Sequence, residues 1–201
     1  MKIIYVLFLL VSVFIFPSAI QAQGLPVNIS TQLPSEYEVM TFMSMDFNSD
    51  GLLDYIVVIH RKAERKIADQ GKPAPRRPLL VFTQGDNGEF VQISRNDHLV
   101  YAADEGGQCD PFLDGEEGIV AKGLFFTVQN TTACGEHWTD YLTFRYSPAH
   151  RNFIFHKRIF ENWMTPNSNA TDAAALVLEK RVVSTARKLN PISLDNYRPN
   201  P

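Results

Sequence analysis

The densest chemistry in the 201-residue chain lies in one short stretch, Asp46-Phe47-Asn48-Ser49-Asp50-Gly51-Leu52-Leu53-Asp54, with the pattern DxNxDGxxD. Side-chain oxygens at the alternate positions Asp46, Asn48 and Asp50 can fold inward around a hard cation. The Leu52 carbonyl and the Asp54 carboxylate would complete the shell, with water filling gaps. Gly51 can adopt the left-handed backbone that lets the loop reverse. Ligation by oxygen alone selects calcium over zinc or copper. The pattern departs from the helical calcium hand, because its twelfth position is Val57 and the bidentate Glu is missing. The flanks FMSM and YIVVI read as strands, so the expectation is a structural calcium turn between two strands, with modest affinity near the millimolar range. The competing reading is an Asx-rich hairpin that needs no metal.

Cys109 and Cys134 form the second candidate group. An even pair in an oxidising compartment is expected to bridge, stabilising the fold by about 3 kcal/mol through loop closure. The rival is a metal site using Cys109, Cys134 and His137. A structural zinc needs four such ligands with closely paired spacing, and no CxxC or HxH occurs here.

These groups need a scaffold. From Tyr37 onward the texture is that of strands: YEVMTFMSM, DYIVVIH, PLLVFTQ, EFVQISR, DHLVYAA, EGIVA, LFFTVQN, HWTDYLTFRYS and NFIFHKRIF, separated by Gly, Asn, Asp and Pro. Gly85-Asp86-Asn87-Gly88 predicts a hairpin between PLLVFTQ and EFVQISR. The expected class is mainly β: a small antiparallel sandwich or barrel, or a propeller-blade-like sheet. The tail fits either of two states. Ala175, Leu178, Val182, Ala186 and Leu189 share one helical face, while RVVSTARKL would also serve as an edge strand. The domain expectation is a signal at 1–22, an irregular lead-in at 23–36, a β-rich domain at 37–163, and a tail at 164–201 packing on it.

Met1-Lys2 followed by the apolar run Ile3 to Phe16, a Pro17-Ser18 break and Ala19-Ile20-Gln21-Ala22 has the three-part layout of a secretory signal. The run falls short of the roughly 20 residues that span a bilayer, so cleavage after Ala22 and a periplasmic or secreted location are expected, with no later span. Composition narrows the classes further. There are 19 Lys+Arg against 22 Asp+Glu, for a formal net charge of −3, which argues against nucleic-acid binding. Hydrophobic residues at 45% exclude a disordered chain.

Charge is nevertheless uneven along the chain. Arg61, Lys62, Arg65, Lys66, Lys72, Arg76 and Arg77 crowd one segment, whose end KPAPRRP reads as extended and exposed. Asp97, Asp104, Glu105, Asp110, Asp114, Glu116 and Glu117 crowd another. The plain expectation is two solvated loops. The sharper one is a dipolar surface that orients a partner, with Arg61, Lys62, Arg65, Lys66, Arg76 and Arg77 as its basic side. Catalytic signatures such as GxSxG, HExxH, GxGxxG and the phosphate loop are absent. An acid–base pair drawn from Asp104, Glu105, Asp110, Glu116 or Glu136 beside Trp138 is the remaining hydrolase reading.

The strand–DxNxDGxxD–strand unit resembles the calcium loop of FG-GAP/VCBS-type repeats. A longer stretch, roughly Glu38 to Trp163, resembles uncharacterised Gram-negative periplasmic proteins. The matching residues are Asp46 to Asp54, Leu79-Leu80-Val81-Phe82, Gly106-Gly107-Gln108-Cys109-Asp110-Pro111-Phe112 and Phe144-Arg145-Tyr146. The resemblance implies calcium, export and a β-rich fold, and no activity. The functional expectation is therefore an exported, non-catalytic module that contacts an unidentified protein or envelope ligand. A periplasmic inhibitor or immunity-type protein is the alternative, and a carboxylate-dependent hydrolase the third reading.

Overall fold

The computed structural model describes residues 24–112, 118–166, 176–187 and 189–199. Within them the chain is mainly β, as two antiparallel meanders that pack face to face without closing into a barrel. One sheet runs in the order β1 (Tyr37–Met45), β2 (Asp54–Arg61), β3 (Arg77–Gln84), β4 (Phe90–Val100). The other runs β5 (Ile119–Lys122), β6 (Phe125–Thr132), β7 (His137–Ser147), β8 (Asn152–Met164), β9 (Val177–Thr185). Within each sheet every strand pairs with the next in the chain. Tight turns join β3 to β4, β5 to β6, β6 to β7 and β7 to β8, while longer connections join β2 to β3 and β8 to β9 and carry the chain from β4 to β5 in the other sheet.

Alternation explains which side chains meet. Ile56 and Val58 of β2 and Leu79 and Val81 of β3 face the other sheet, where Phe126, Val128, Leu142, Phe144, Phe153 and Phe155 complete one core. Each such side chain contributes about 1.5–3 kcal/mol by leaving water. The intervening residues Tyr55, Val57, Ile59, Leu80 and Phe82 form a second cluster on the opposite face of the same sheet. That face is roofed by the lead-in, where Pro26 opens a single helical turn, α1 (Val27–Ser30), and Ile29 is fully buried. Burial on both faces is why DYIVVIH and PLLVF are continuously apolar rather than alternating.

The structure corrects one reading and decides another that was open. EFVQISR and DHLVYAA are not separate strands, because β4 continues through Asn96-Asp97. Asn96 is buried there, and its amide donates to the Leu194 and Tyr197 carbonyls. The tail is an edge strand, not a helix: β9 pairs with β8 from Lys157↔Thr185 to Met164↔Val177. Ala175, from the helical pattern, lies outside the described residues.

Beyond β9 a 3-10 turn, Leu194–Asn196, carries Leu194 and Tyr197 into the main core. The Tyr197 ring lies 4.5 Å from Phe155 and 5.3 Å from Phe144. Asp195 accepts hydrogen bonds from Ser94 Oγ (2.9 Å) and the Arg95 amide (3.0 Å) on β4, and from Asn152 Nδ2 (2.6 Å) on β8. Burial pushes its carboxyl upward, but these donors outweigh that and hold it below the usual carboxylate range. One residue thereby sutures the two sheets.

Candidate functional site

The DxNxDGxxD segment is the connection from β1 to β2, whose register ends at Met45↔Asp54 beside the loop. Phe47 anchors it: the ring is fully buried, 5.1 Å from Tyr146 and 4.8 Å from Phe153 of the facing sheet. Left-handed backbone at Ser49 (φ 65°) and Gly51 (φ 86°) reverses the chain. Glycine adopts that conformation without strain, whereas a Cβ raises its energy.

The side-chain oxygens serve this turn. Asp46 Oδ1 accepts the Ser49 (2.7 Å) and Asp50 (3.2 Å) amides, and its Oδ2 accepts the Gly51 amide (3.0 Å). Asn48 Oδ1 accepts the Asp50 amide at 3.0 Å, and Asn48 Nδ2 donates to Asp50 Oδ2 at 2.7 Å. Asp50 Oδ1 accepts the Leu52 amide at 2.8 Å. Asp54 is fully buried, taking the Phe47 amide on Oδ2 (3.3 Å) and the Gln84 amide of β3 on Oδ1 (3.0 Å). Desolvation pushes its carboxyl up to about 6, against those two amides and with the charges of Asp50 and Asp46 adding to the rise.

The donor chemistry, oxygen only, fits a hard cation. The geometry is that of an amide-bonded turn: among the described residues no three Asp, Glu, His or Cys side chains are grouped to hold a metal ion.

The basic and acidic segments meet each other. Arg76 reaches Glu105 at 2.6 Å, and the Ala74 amide donates to Asp104 at 2.9 Å. Arg77, expected on an exposed partner surface, is instead one of the most deeply buried side chains, 1% exposed. Its guanidinium grips Glu64 with Nε (2.8 Å) and Nη2 (3.0 Å), forks onto both oxygens of Asp110, and donates to the Tyr101 carbonyl. Glu64 opens a short helix, α2 (Glu64–Asp69), within the segment read as a loop. His60 extends the arrangement, with Nδ1 3.2 Å from Glu64 and Nε2 3.3 Å from Glu38. The sequence reading missed this chain of paired polar groups. Its one local signal was the His60/Glu64 spacing across the end of β2.

The remaining basic candidates are dispersed. Arg61 is exposed over the Tyr37 ring (5.7 Å), Lys62 donates to the Ser35 carbonyl (2.9 Å), and Lys66 is exposed. The Arg65 side chain lies outside what is described. Cys109 and Cys134 are bonded, with Cα atoms 5.8 Å apart, joining the segment after β4 to the β6–β7 turn beside Asp110. The acid–base candidates find separate partners: Glu105 accepts the Ala102 amide as well as Arg76, and Asp110 is engaged by Arg77. Glu136 is exposed, and Glu116, like the segment 1–22, lies outside the described residues. Trp138 packs 5.8 Å from Tyr101, whose hydroxyl donates to the buried Asp140 at 2.6 Å. Searches of known protein families and of curated proteins find no family model and no protein that matches the chain.

Proposed function

We propose that the chain is an exported, non-catalytic interaction module: a β-sandwich stiffened by a calcium ion at the Asp46–Asp54 loop and offering its β9 edge to another protein. The observation that carries the interaction is β9 itself. All nine of its residues are exposed, including Val177 (38%), Leu178 (44%), Val182 (42%) and Val183 (51%). Among the described residues β9 is the last strand of its sheet, and on its free edge Val177, Leu178, Val182 and Val183 flank the charged Glu179-Lys180-Arg181. Such an edge can accept an extended segment of a partner, with main-chain hydrogen bonds giving affinity and side-chain pockets giving selectivity. The basic segment is less suited to that task, because Arg76 and Arg77 are already engaged by Glu105, Glu64 and Asp110. The disulfide is compatible with an oxidising compartment.

Calcium supports the module by linkage, since a ligand that binds only the folded state stabilises it. Asp46, Asn48, Asp50, the Leu52 carbonyl and Asp54 would hold it. At calcium about tenfold above a millimolar dissociation constant, the melting temperature should rise by roughly 3–5 °C over a chelated sample. An unchanged melt at that concentration removes the ion from the proposal. For the edge, capture of a partner from envelope extract should be lost with Val183→Lys and persist with Lys66→Glu. The reverse pattern would return the interface to the basic segment.

A further inference from the structure

Where β8, β9 and the C-terminal segment converge there is a cleft of about 710 Å³. Its composition is unusual in a chain of net negative charge. Arg158, Arg187 and Arg198 line it, and no Asp or Glu is among the described lining residues. Its apolar side is Phe155 stacked on Tyr197 (interplanar angle 21°), with Ile192 beside them.

The three guanidiniums are not equivalent. Arg158, on β8, donates from Nε to the buried Asp140 at 2.9 Å, which fixes its position and balances its charge. Arg198 donates from Nη1 to the backbone carbonyls of Asp195 (2.9 Å) and Tyr197 (2.8 Å). Carbonyls orient a guanidinium without cancelling its charge. Arg187 follows β9 and is exposed. The nearby carboxylate of Asp195 is turned to Ser94, Arg95 and Asn152 across the two sheets. The cleft therefore combines net positive charge with an apolar floor made by exposed Ile192 and the small uncovered part of the Phe155–Tyr197 stack, and its volume falls within the range of small-molecule sites.

We propose that this cleft binds a small organic anion, a single carboxylate or phosphate carried on an apolar body. The anionic head meets Arg187 and Arg198, and the body lies on Phe155, Tyr197 and Ile192. Guanidinium forks match carboxylate and phosphate oxygens in pairs, so the charged end sets orientation. The apolar end adds burial.

The test is calorimetric titration of the full chain with decanoate below its micellar concentration, with decanol and inorganic phosphate as comparison probes. Saturable decanoate binding should weaken by about tenfold or more in Arg187→Glu/Arg198→Glu, the loss expected when charge-assisted hydrogen bonds are removed. Val182→Trp, which fills the cleft without altering charge, should weaken it too. Far-UV circular dichroism and the melting temperature confirm that each variant is folded. If the double variant loses its fold, Arg187→Glu alone supplies the charge test. Absence of saturable decanoate binding overturns the site. So does equal binding of decanol and decanoate, or undiminished binding in the charge-reversed variant. Tighter binding of phosphate than of decanoate would overturn the role of the apolar floor.

Discussion

The Asp46–Asp54 loop and the Arg77 cluster both concentrate charge, and they do so in opposite ways. In the loop, carboxylates of one sign lie within a few residues of each other and are held by backbone amides of the same turn. In the cluster, a cation from β3 is neutralised by Glu64 from α2 and Asp110 from beyond β4, all largely out of water. The loop carries unbalanced negative charge and can respond to an added cation. The cluster sets one guanidinium between two carboxylates, so most of its charge is compensated internally, and it locks three distant segments together. Density of charge in a sequence therefore does not indicate availability of charge on a surface.

The contrast can be broken first at Arg77. Arg77→Met removes the guanidinium from Glu64 and Asp110, which keep His60 and the Phe112 amide, and should cost about 3–5 kcal/mol in denaturant unfolding. Adding Glu64→Gln and Asp110→Asn should recover part of that loss, because the stranded charges are then gone. A cost below about 1 kcal/mol for Arg77→Met would show that the cluster is not the lock described.

Asp54 gives the next effect. Its folded carboxyl, near 6, lies above the usual unfolded value, so the folded state binds more protons between those values. In chelated protein its contribution is fully present below about pH 4 and is lost as pH rises through 6, a fall of about 3 kcal/mol. Asp54→Asn should flatten that part of the pH–stability curve, and an equally steep curve in the variant would assign the slope elsewhere.

The smallest expected change sharpens the loop side. Gly51→Ala places a Cβ on left-handed backbone (φ 86°), with no atom within 4 Å to clash. The cost should be about 1–2 kcal/mol, all of it conformational. Gly24→Ala, which meets nothing and has no positive φ, serves as the control in the same melt.

Much of the scaffold was legible. YEVMTFMSM and HWTDYLTFRYS correspond residue for residue to β1 and β7, because β-rich composition in the first and alternation in the second agree with the turn residues that flank them. The hairpin at Gly85–Gly88 was equally readable, since its signal is local. Asn96 misled because its type favours turns, and only its distant partners at Leu194 and Tyr197 keep it inside a strand. Arg77 misled for the same reason: KPAPRRP looks solvated until Glu64 and Asp110 are brought to it. The tail could not be resolved from periodicity, because one spacing serves helix and strand alike until β8 offers hydrogen bonds to β9. Of the candidate loop, the turn and its amide-holding carboxylates were accessible from spacing. The plugging of Phe47 between the sheets was not.

The suture formed by Leu194, Asp195 and Tyr197 has a consequence for how the sandwich could come apart. β4 already touches β6 and β8, with Asn130 donating to the Leu99 carbonyl, but the Asp195 carboxylate adds the bonds that reach Ser94, Arg95 and Asn152 together. The same segment lays Tyr197 over Phe144 and Phe155. A nick after Pro191 should therefore loosen one sheet from the other on that side while leaving strand pairing within each sheet intact.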